Sequence, residues 1–524
     1  MARMRCSRMG RSALALLMLG PIVIAPVHAT GRSGILPPES RRQHDVTVNG
    51  QRLTVVAALE RYQAQGRSGR PLGSVYLTSL TAYSDDSRRP VIFAFNGGPG
   101  SSSAYLNLGM MGLRRVQVSG PEARGPTGTI VDNHDTPLDV ADIVLIDPIG
   151  TGFSRLASRG AAGETYSAVG DAAYIAGVIR QWLKRHHREA APTFLAGESY
   201  GAQRVASILR VLSCDGERHC TPLRVEGAIL ISQSIEIVNT LQRPGNVTGI
   251  AAGFPTIAAL AWYHRKVDRH DRSVDGVVAD AFAFSSTYLS ALYRANSLSV
   301  DERNAIAGKL AAFTGLPPAY FQKHLSITKD EYRHEAFRAT GQVLGTYDAR
   351  YLGPVRGAGD PSTKALDTAI AAKLSRVLNE SVGVPVRYSY RVYNDALDGR
   401  WTYAPVATPF SSYDYAGELA AALRINPALK VLVAGGLYDT AASVGADAFL
   451  LNQWSVPATQ TLSVHYPAGH MFYLDDASRV DFARAIRCFV GSRSIAACQA
   501  AAQGRGVPPG IGPLPSNGQP DLAP

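Results

Sequence analysis

Thr193-Phe-Leu-Ala-Gly-Glu-Ser-Tyr-Gly201 decides how this chain is read: a short run suited to a buried strand passes through two glycines that bracket a serine. An amphipathic helix comes at once after it, with Val205, Ile208, Leu209 and Leu212 at i, i+3, i+4, i+7 spacing. A serine on such a strand-to-helix turn is pushed into the open. The flanking glycines leave room for the tight turn, where a Cβ would meet neighbouring elements.

Outward from this turn the same kind of run recurs, at Val91-Ile-Phe-Ala-Phe95, Ile143-Val-Leu-Ile146, Ala228-Ile-Leu-Ile231, Val431-Leu-Val-Ala434 and Leu462-Ser-Val-His465. Most do not alternate in polarity, as expected of strands covered by helices on both faces. Helical patterns lie between them, Ile175, Val178, Ile179 and Trp182 among them. The fold class is therefore α/β, with a mostly parallel central sheet flanked by helices. Upstream, 44–58 and 73–83 read as antiparallel edge strands, with Asn49-Gly50 as a hairpin turn. The rhythm breaks over 242–408, which is rich in aromatic, alanine and charged residues and reads as a mainly helical insertion or cap. The catalytic domain is then 30–241 with 409–500. The Pro/Gly-rich stretch 504–524 reads as a disordered tail.

Composition narrows the function classes. With 46% hydrophobic and 18% charged residues, the chain is neither a disordered polymer nor a multi-span membrane protein. Arg3, Arg5, Arg8 and Arg11 precede the apolar run Ala13-Leu-Ala-Leu-Leu-Met-Leu-Gly-Pro-Ile-Val-Ile-Ala25, and Val27-His28-Ala29 comes next. Residues 1–29 thus read as a cleavable signal peptide, so an exported protein is expected, periplasmic or secreted, with no stable membrane anchor. Its loss takes four charges from the net +11, leaving +7. No basic stripe with interleaved aromatics argues for nucleic acid. The stretch Lys184-Arg-His-His-Arg188 is expected to be a solvated helix end, its charge complementing the helix dipole. Export also suits the four remaining cysteines, which fall into close pairs and are expected as disulfides Cys214–Cys220 and Cys488–Cys498. No zinc-site spacing or His-Glu-x-x-His is present, so no metal and no cofactor are expected.

Serine is a poor nucleophile until a base takes its proton, and the base must be held in one tautomer by a third group. Asp439 stands just beyond the run at 431–434, and His470 just beyond the run at 462–465. Ser199, Asp439 and His470 thus all sit at strand ends, in the chain order of hydrolases built on such a sheet. A surface-loop histidine and an aspartate capping a helix are the alternative readings of the last two. An acyl-transfer site also needs donors for an oxyanion, and Asn96-Gly-Gly-Pro-Gly100 offers a backbone poor in side chains directly after the run at 91–95.

Taken together, Asn96-Gly-Gly-Pro-Gly-Ser-Ser-Ser103, Ile146-Asp-Pro-Ile-Gly-Thr-Gly-Phe-Ser154, Ala196-Gly-Glu-Ser-Tyr-Gly201, the strand ending at Asp439 and Ala468-Gly-His-Met471 resemble the serine carboxypeptidase family over 73–490. The resemblance implies an α/β-hydrolase fold with a helical insertion, no cofactor, and release of C-terminal residues from peptides. It implies Ser199 as nucleophile, His470 as base, Asp439 as orienting acid, and the N–H groups of Gly98 and Tyr200 as oxyanion hole. It also implies that Asn96, Gly97 and Glu198 bind the substrate carboxylate. Two carboxyl groups share a site only with a proton between them, so Glu198 should have a raised pKa and activity should favour acid. Three departures, no Gln between Asp147 and Pro148, Ala202 in place of a common glycine, and a short 104–112 segment without the familiar glutamate, make the chain look like a bacterial branch. The insertion is the expected seat of side-chain specificity, with Tyr105, Trp262, Tyr263 and Trp401 as pocket or core residues. An acyltransferase or esterase with the same triad, and a binding protein that has lost turnover, are the rival readings.

Overall fold

The computed structural model describes residues 36–503 except 85, 119, 122–127, 215–219, 358, 404–412, 455 and 492–493. The expected signal peptide and terminal tail lie outside the described residues.

The long sheet contains β1 (Ser40–Val48), β2 (Gln51–Gln65), β3 (Pro71–Ala82), β4 (Val91–Phe95), β5 (Asp142–Asp147), β6 (Thr193–Glu198), β7 (Val225–Ile231), β8 (Lys430–Gly436) and β9 (Thr461–Tyr466). Their order is β1-β2-β3-β5-β4-β6-β7-β8-β9, and the two-residue strand Arg155–Leu156 pairs with β3. From β5 to β9 every pairing is parallel; β1, β2 and β3 run antiparallel along one edge. The hairpin between β1 and β2 turns at Asn49 and Gly50, both at positive φ (47° and 78°), the backbone an Asn-Gly pair adopts most readily. Strands β4, β5 and β6 are buried at every position, which is why their sequences do not alternate.

The main helices are α1 (Ala168–Arg185), α2 (Tyr200–Leu212), α3 (Val247–Tyr263), α4 (Val274–Tyr293), α5 (Val300–Thr314), α6 (Lys364–Val382), α7 (Tyr415–Ile425), α8 (Val444–Gln453) and α9 (Asp476–Val490). Ser167 caps α1 by accepting from Gly170 N, and Ile175, Val178, Ile179 and Trp182 form its buried face. The basic end of α1 is solvated at Lys184, Arg185 and His187, as expected, and is also paired. Arg185 forks onto Glu39, His186 Nε2 lies 2.8 Å from Glu60, and Arg188 lies 2.6 Å from the buried Asp142, so three carboxylates dock it.

The stretch 242–408 behaves as two pieces. Its first part, α3 to α5 with the chain beyond them as far as Ala349, gathers a core of its own around Phe254, Ile257, Tyr288, Leu310 and Phe321. Its later part does not: Leu366, Ile370 and Leu374 of α6, with Tyr390 and Val392, join the cluster that includes Ile92 and Leu145 of the main sheet. Between them a short antiparallel hairpin, Gln342–Leu344 with Leu352–Pro354, adds strand to a segment expected to be helical. Disulfides join Cys214 to Cys220 and Cys488 to Cys498. Among the described residues no helix is long and apolar enough to cross a membrane.

Candidate active site

Because β4 to β9 are parallel, their carboxyl ends lie along one edge of the sheet, and the loops leaving that edge meet there. Ser199 comes directly after β6 at φ 58°, ψ −123°, a backbone state rare for a residue with a side chain. Its flanking glycines are required by space: a Cβ on Gly197 would lie 2.1 Å from the Gly201 carbonyl oxygen, and one on Gly201 would lie 2.7 Å from the Phe95 carbonyl oxygen.

Asp439 and His470 meet from adjacent strand ends. His470 Nδ1 lies 2.6 Å from Asp439 Oδ2, with both side chains buried. The other Asp439 oxygen accepts from the amides of Ala441 (2.7 Å) and Ala442 (2.9 Å), so the carboxylate is anchored independently of the ring. The proton belongs on Nδ1, leaving Nε2 as the free base. Burial pulls the imidazole pKa down, but Asp439 and then Glu198 outweigh it and hold it above the ordinary value. Ser199 and His470 are tied to neighbouring residues of β7 and its exit: the Ser199 amide donates to Ile231 O (2.9 Å), and Ser232 Oγ donates to His470 O (2.6 Å). Among the described residues no hydrogen bond joins Ser199 Oγ to His470 Nε2.

The glycine turn after β4 packs on the serine turn. A Cβ on Gly97 would lie 2.5 Å from the Tyr200 amide nitrogen, and Gly98 sits at φ 102°, so the turn admits no side chain at 97 and suits none at 98. Asn96 Nδ2 donates to Glu198 Oε1 at 2.9 Å, while Asn96 Oδ1 accepts from the Leu106 amide at 3.0 Å. Burial raises the Glu198 pKa against the opposing pull of His470, Tyr473 and Asn96. A second tie joins Asn96-to-Ser103 to Ile146-to-Ser154: Asp147 accepts from Ser103 N (2.9 Å), Ser103 Oγ (2.7 Å) and the Tyr390 hydroxyl (2.9 Å).

Several contributors have no motif. Arg204, fully buried one turn into α2, donates to Asn96 O (2.7 Å) and pairs with the buried Asp171 at 2.5 Å. Its only trace in the sequence is an arginine among the apolar positions of an amphipathic helix. The loop of the small hairpin grips both the loop that carries Asp439 and the loop that carries His470. Thr346 O accepts from Thr440 N and Oγ1, Tyr347 O accepts from His470 N (2.5 Å), and Arg350 Nη1 donates to Pro467 O (3.1 Å). The Tyr347 ring stands edge-on to His470, centroids 5.3 Å apart. Of the aromatics singled out in the sequence, Tyr105 bonds Asp367 (2.9 Å) and Trp401 bonds the Tyr200 hydroxyl (3.0 Å). Trp262 bonds Arg272 O within the insertion (2.9 Å), and the Tyr263 ring rests against Tyr438. A separate cleft, lined by Leu209, Leu223, Ala422 and Leu429, opens beside α2 and α7 and contains none of these groups.

Residues 74–244 match the family model described as serine carboxypeptidase. No curated protein matches the chain significantly. Among solved structures, the chain is similar to the prohormone-processing carboxypeptidase Kex1(Δ)p of Saccharomyces cerevisiae: 14% identity, TM-score 0.51, covering 87% of this chain and 92% of that one. It also aligns with proline iminopeptidase of Mycobacterium smegmatis at 12% identity and TM-score 0.36, covering 84% and 100%. A carboxyl esterase of Bacillus coagulans aligns at 11% identity and TM-score 0.37, covering 83% and 98%. The first likeness, with the observed sheet order, makes the fold that of an α/β-hydrolase.

Proposed function

We propose, from the premise that residues 74–244 are serine carboxypeptidase-family sequence, that this hydrolase removes residues one at a time from the free C-termini of peptides. Fold and family support a peptidase- or esterase-type hydrolase. The observation that favours the exopeptidase is the buried Asn96–Glu198 pair one residue from Ser199, a carboxyl that gains a partner when a peptide's own terminal carboxylate enters.

In this reading Ser199 Oγ attacks the last peptide carbonyl as His470 Nε2 takes its proton, and the N–H groups of Gly98 and Tyr200 receive the oxyanion. The protonated imidazole, stabilised by Asp439, returns the proton to the leaving amine. Water then enters on the same base and releases the shortened peptide from the acyl-enzyme. Asn96, the Gly97 amide and protonated Glu198 hold the terminal carboxylate, so affinity falls as pH rises and Glu198 ionises. Below the His470 pKa the base is protonated and turnover falls, so the profile is bell-shaped, its alkaline limb set by the ionisation of Glu198. Export to periplasm or medium belongs to the same reading and agrees with the two disulfides.

Mass spectrometry of a peptide ladder is expected to show trimming from the C-terminus, with the matching peptide amide resistant. Equal turnover of acid and amide would instead favour the esterase or acyltransferase reading. Glu198→Gln is expected to flatten the rise of KM with pH, leaving kcat little changed. Ser199→Ala is expected to lose fluorophosphonate labelling altogether, and labelling that persists would mean another nucleophile.

A further inference from the structure

Glu198 has two carboxyl oxygens, and Asn96 engages one of them. The other, Oε2, takes a short hydrogen bond from the hydroxyl of Tyr473, which lies in the turn Phe472–Leu474 just beyond His470 and is fully buried. Asn96 after β4 and Tyr473 after β9 thus close on the single carboxyl at the end of β6. The opposite wall makes room for the ring: a Cβ on Gly109 would lie 2.2 Å from Tyr473 Cε2. Phe472 packs edge-on behind it, centroids 5.9 Å apart.

We propose that Tyr473 is a positioning residue of the carboxylate-recognition pocket, whose hydroxyl, by donating to Glu198, sets the upper pH limit at which the pocket accepts a free C-terminus. The inference rests on Glu198 being the group that shares a proton with the substrate carboxylate. The groups facing Glu198 are Asn96 after β4, Asp439 after β8, His470 and Tyr473 after β9, and Tyr105 beyond the glycine turn. A hydroxyl that donates to a carboxylate favours the ionised form. It therefore opposes the burial that raises the Glu198 pKa, and brings the loss of the binding-competent, protonated form to lower pH. The neutral phenol is not itself titrated, because burial and the adjacent carboxyl hold its pKa well above the ordinary tyrosine value.

The test measures KM against pH for a blocked dipeptide with a free C-terminus and for its methyl ester, in wild type and Tyr473→Phe. Phenylalanine keeps the ring that Gly109 accommodates. The acid-substrate KM of Tyr473→Phe is expected to begin its rise about one pH unit higher than in wild type. The ester KM is expected to be the same in both enzymes, which a general loosening of the fold would not allow. Site-specific 3-fluorotyrosine at 473 preserves size and strengthens the donor, so its limb is expected to move to lower pH; it carries the test alone should Tyr473→Phe not fold. Limbs that coincide across the three enzymes, or move the opposite way, overturn the proposal. A wild-type KM for the acid that is flat with pH overturns the reading of Glu198 beneath it, a failure visible without any variant.

Discussion

A methyl group on Gly97 would lie 2.5 Å from the Tyr200 amide nitrogen and 2.7 Å from the Glu198 carbonyl oxygen, both backbone atoms that cannot turn aside. Gly97→Ala is therefore expected to push the glycine turn off the serine turn and lower kcat on the order of a hundredfold, the scale of a misplaced reacting geometry. Steady-state kinetics beside the rate of fluorophosphonate labelling check this, since both depend on the oxyanion donors proposed for this turn. Asp171→Ala strands the Arg204 guanidinium in the interior and is expected to cost roughly 3–5 kcal/mol of stability, read by denaturant unfolding. What a single residue could reveal in the sequence differed sharply between these cases. Ser199, Asp439 and His470 stand out because acyl-transfer chemistry admits few residue types and the apolar runs mark where strands end. Arg204, Asp171 and Tyr473 carry no such mark. Their meaning lies in partners 33 to 275 residues away, which neither spacing nor periodicity encodes.

At the level of elements, the hairpin loop at 346–350 matters more than its length suggests. It supplies backbone acceptors to Thr440 and His470, which flank and form the Asp–His pair, and so fixes the distance between two loops that leave different strands. Thr440→Val removes one of these ties while keeping the shape. It is expected to cost about 1 kcal/mol, the usual worth of one hydrogen bond, and to reduce kcat severalfold with little effect on KM. Thermal denaturation and kinetics on one peptide test both parts. The six parallel strands were legible because most are buried on both faces and read as short apolar runs, β4, β5 and β6 most plainly. The partition of 242–408 was not, since helical periodicity announces an apolar face without naming what that face will meet. For the same reason the carboxylates that pair with the basic end of α1, Glu39, Glu60 and Asp142, could not be named from the sequence.

For the molecule as a whole, pH acts on stability as well as on the chemistry. Asp367 of α6 bonds Tyr105, and burial lifts its pKa from 3.8 to about 6, with the Tyr105 and Thr363 hydroxyls opposing. The native state therefore binds this proton more tightly than the unfolded chain does. The associated stabilisation is complete below the unfolded pKa and is lost as pH rises through the folded one. Asp367→Asn, which cannot titrate, is expected to show a flatter Tm between about pH 4 and 6 than wild type, the two curves converging or crossing as pH increases. A difference in Tm that does not vary with pH would place the effect elsewhere. The same molecule-wide view returns to the grip of the hairpin loop on Thr440 and His470. A segment in the position of a detachable lid here holds the machinery in register, so it cannot be exchanged as a cassette. A chimera that imports a foreign lid would also have to import its handholds, and new substrate ranges are more readily reached by point changes within this lid than by transplanting another.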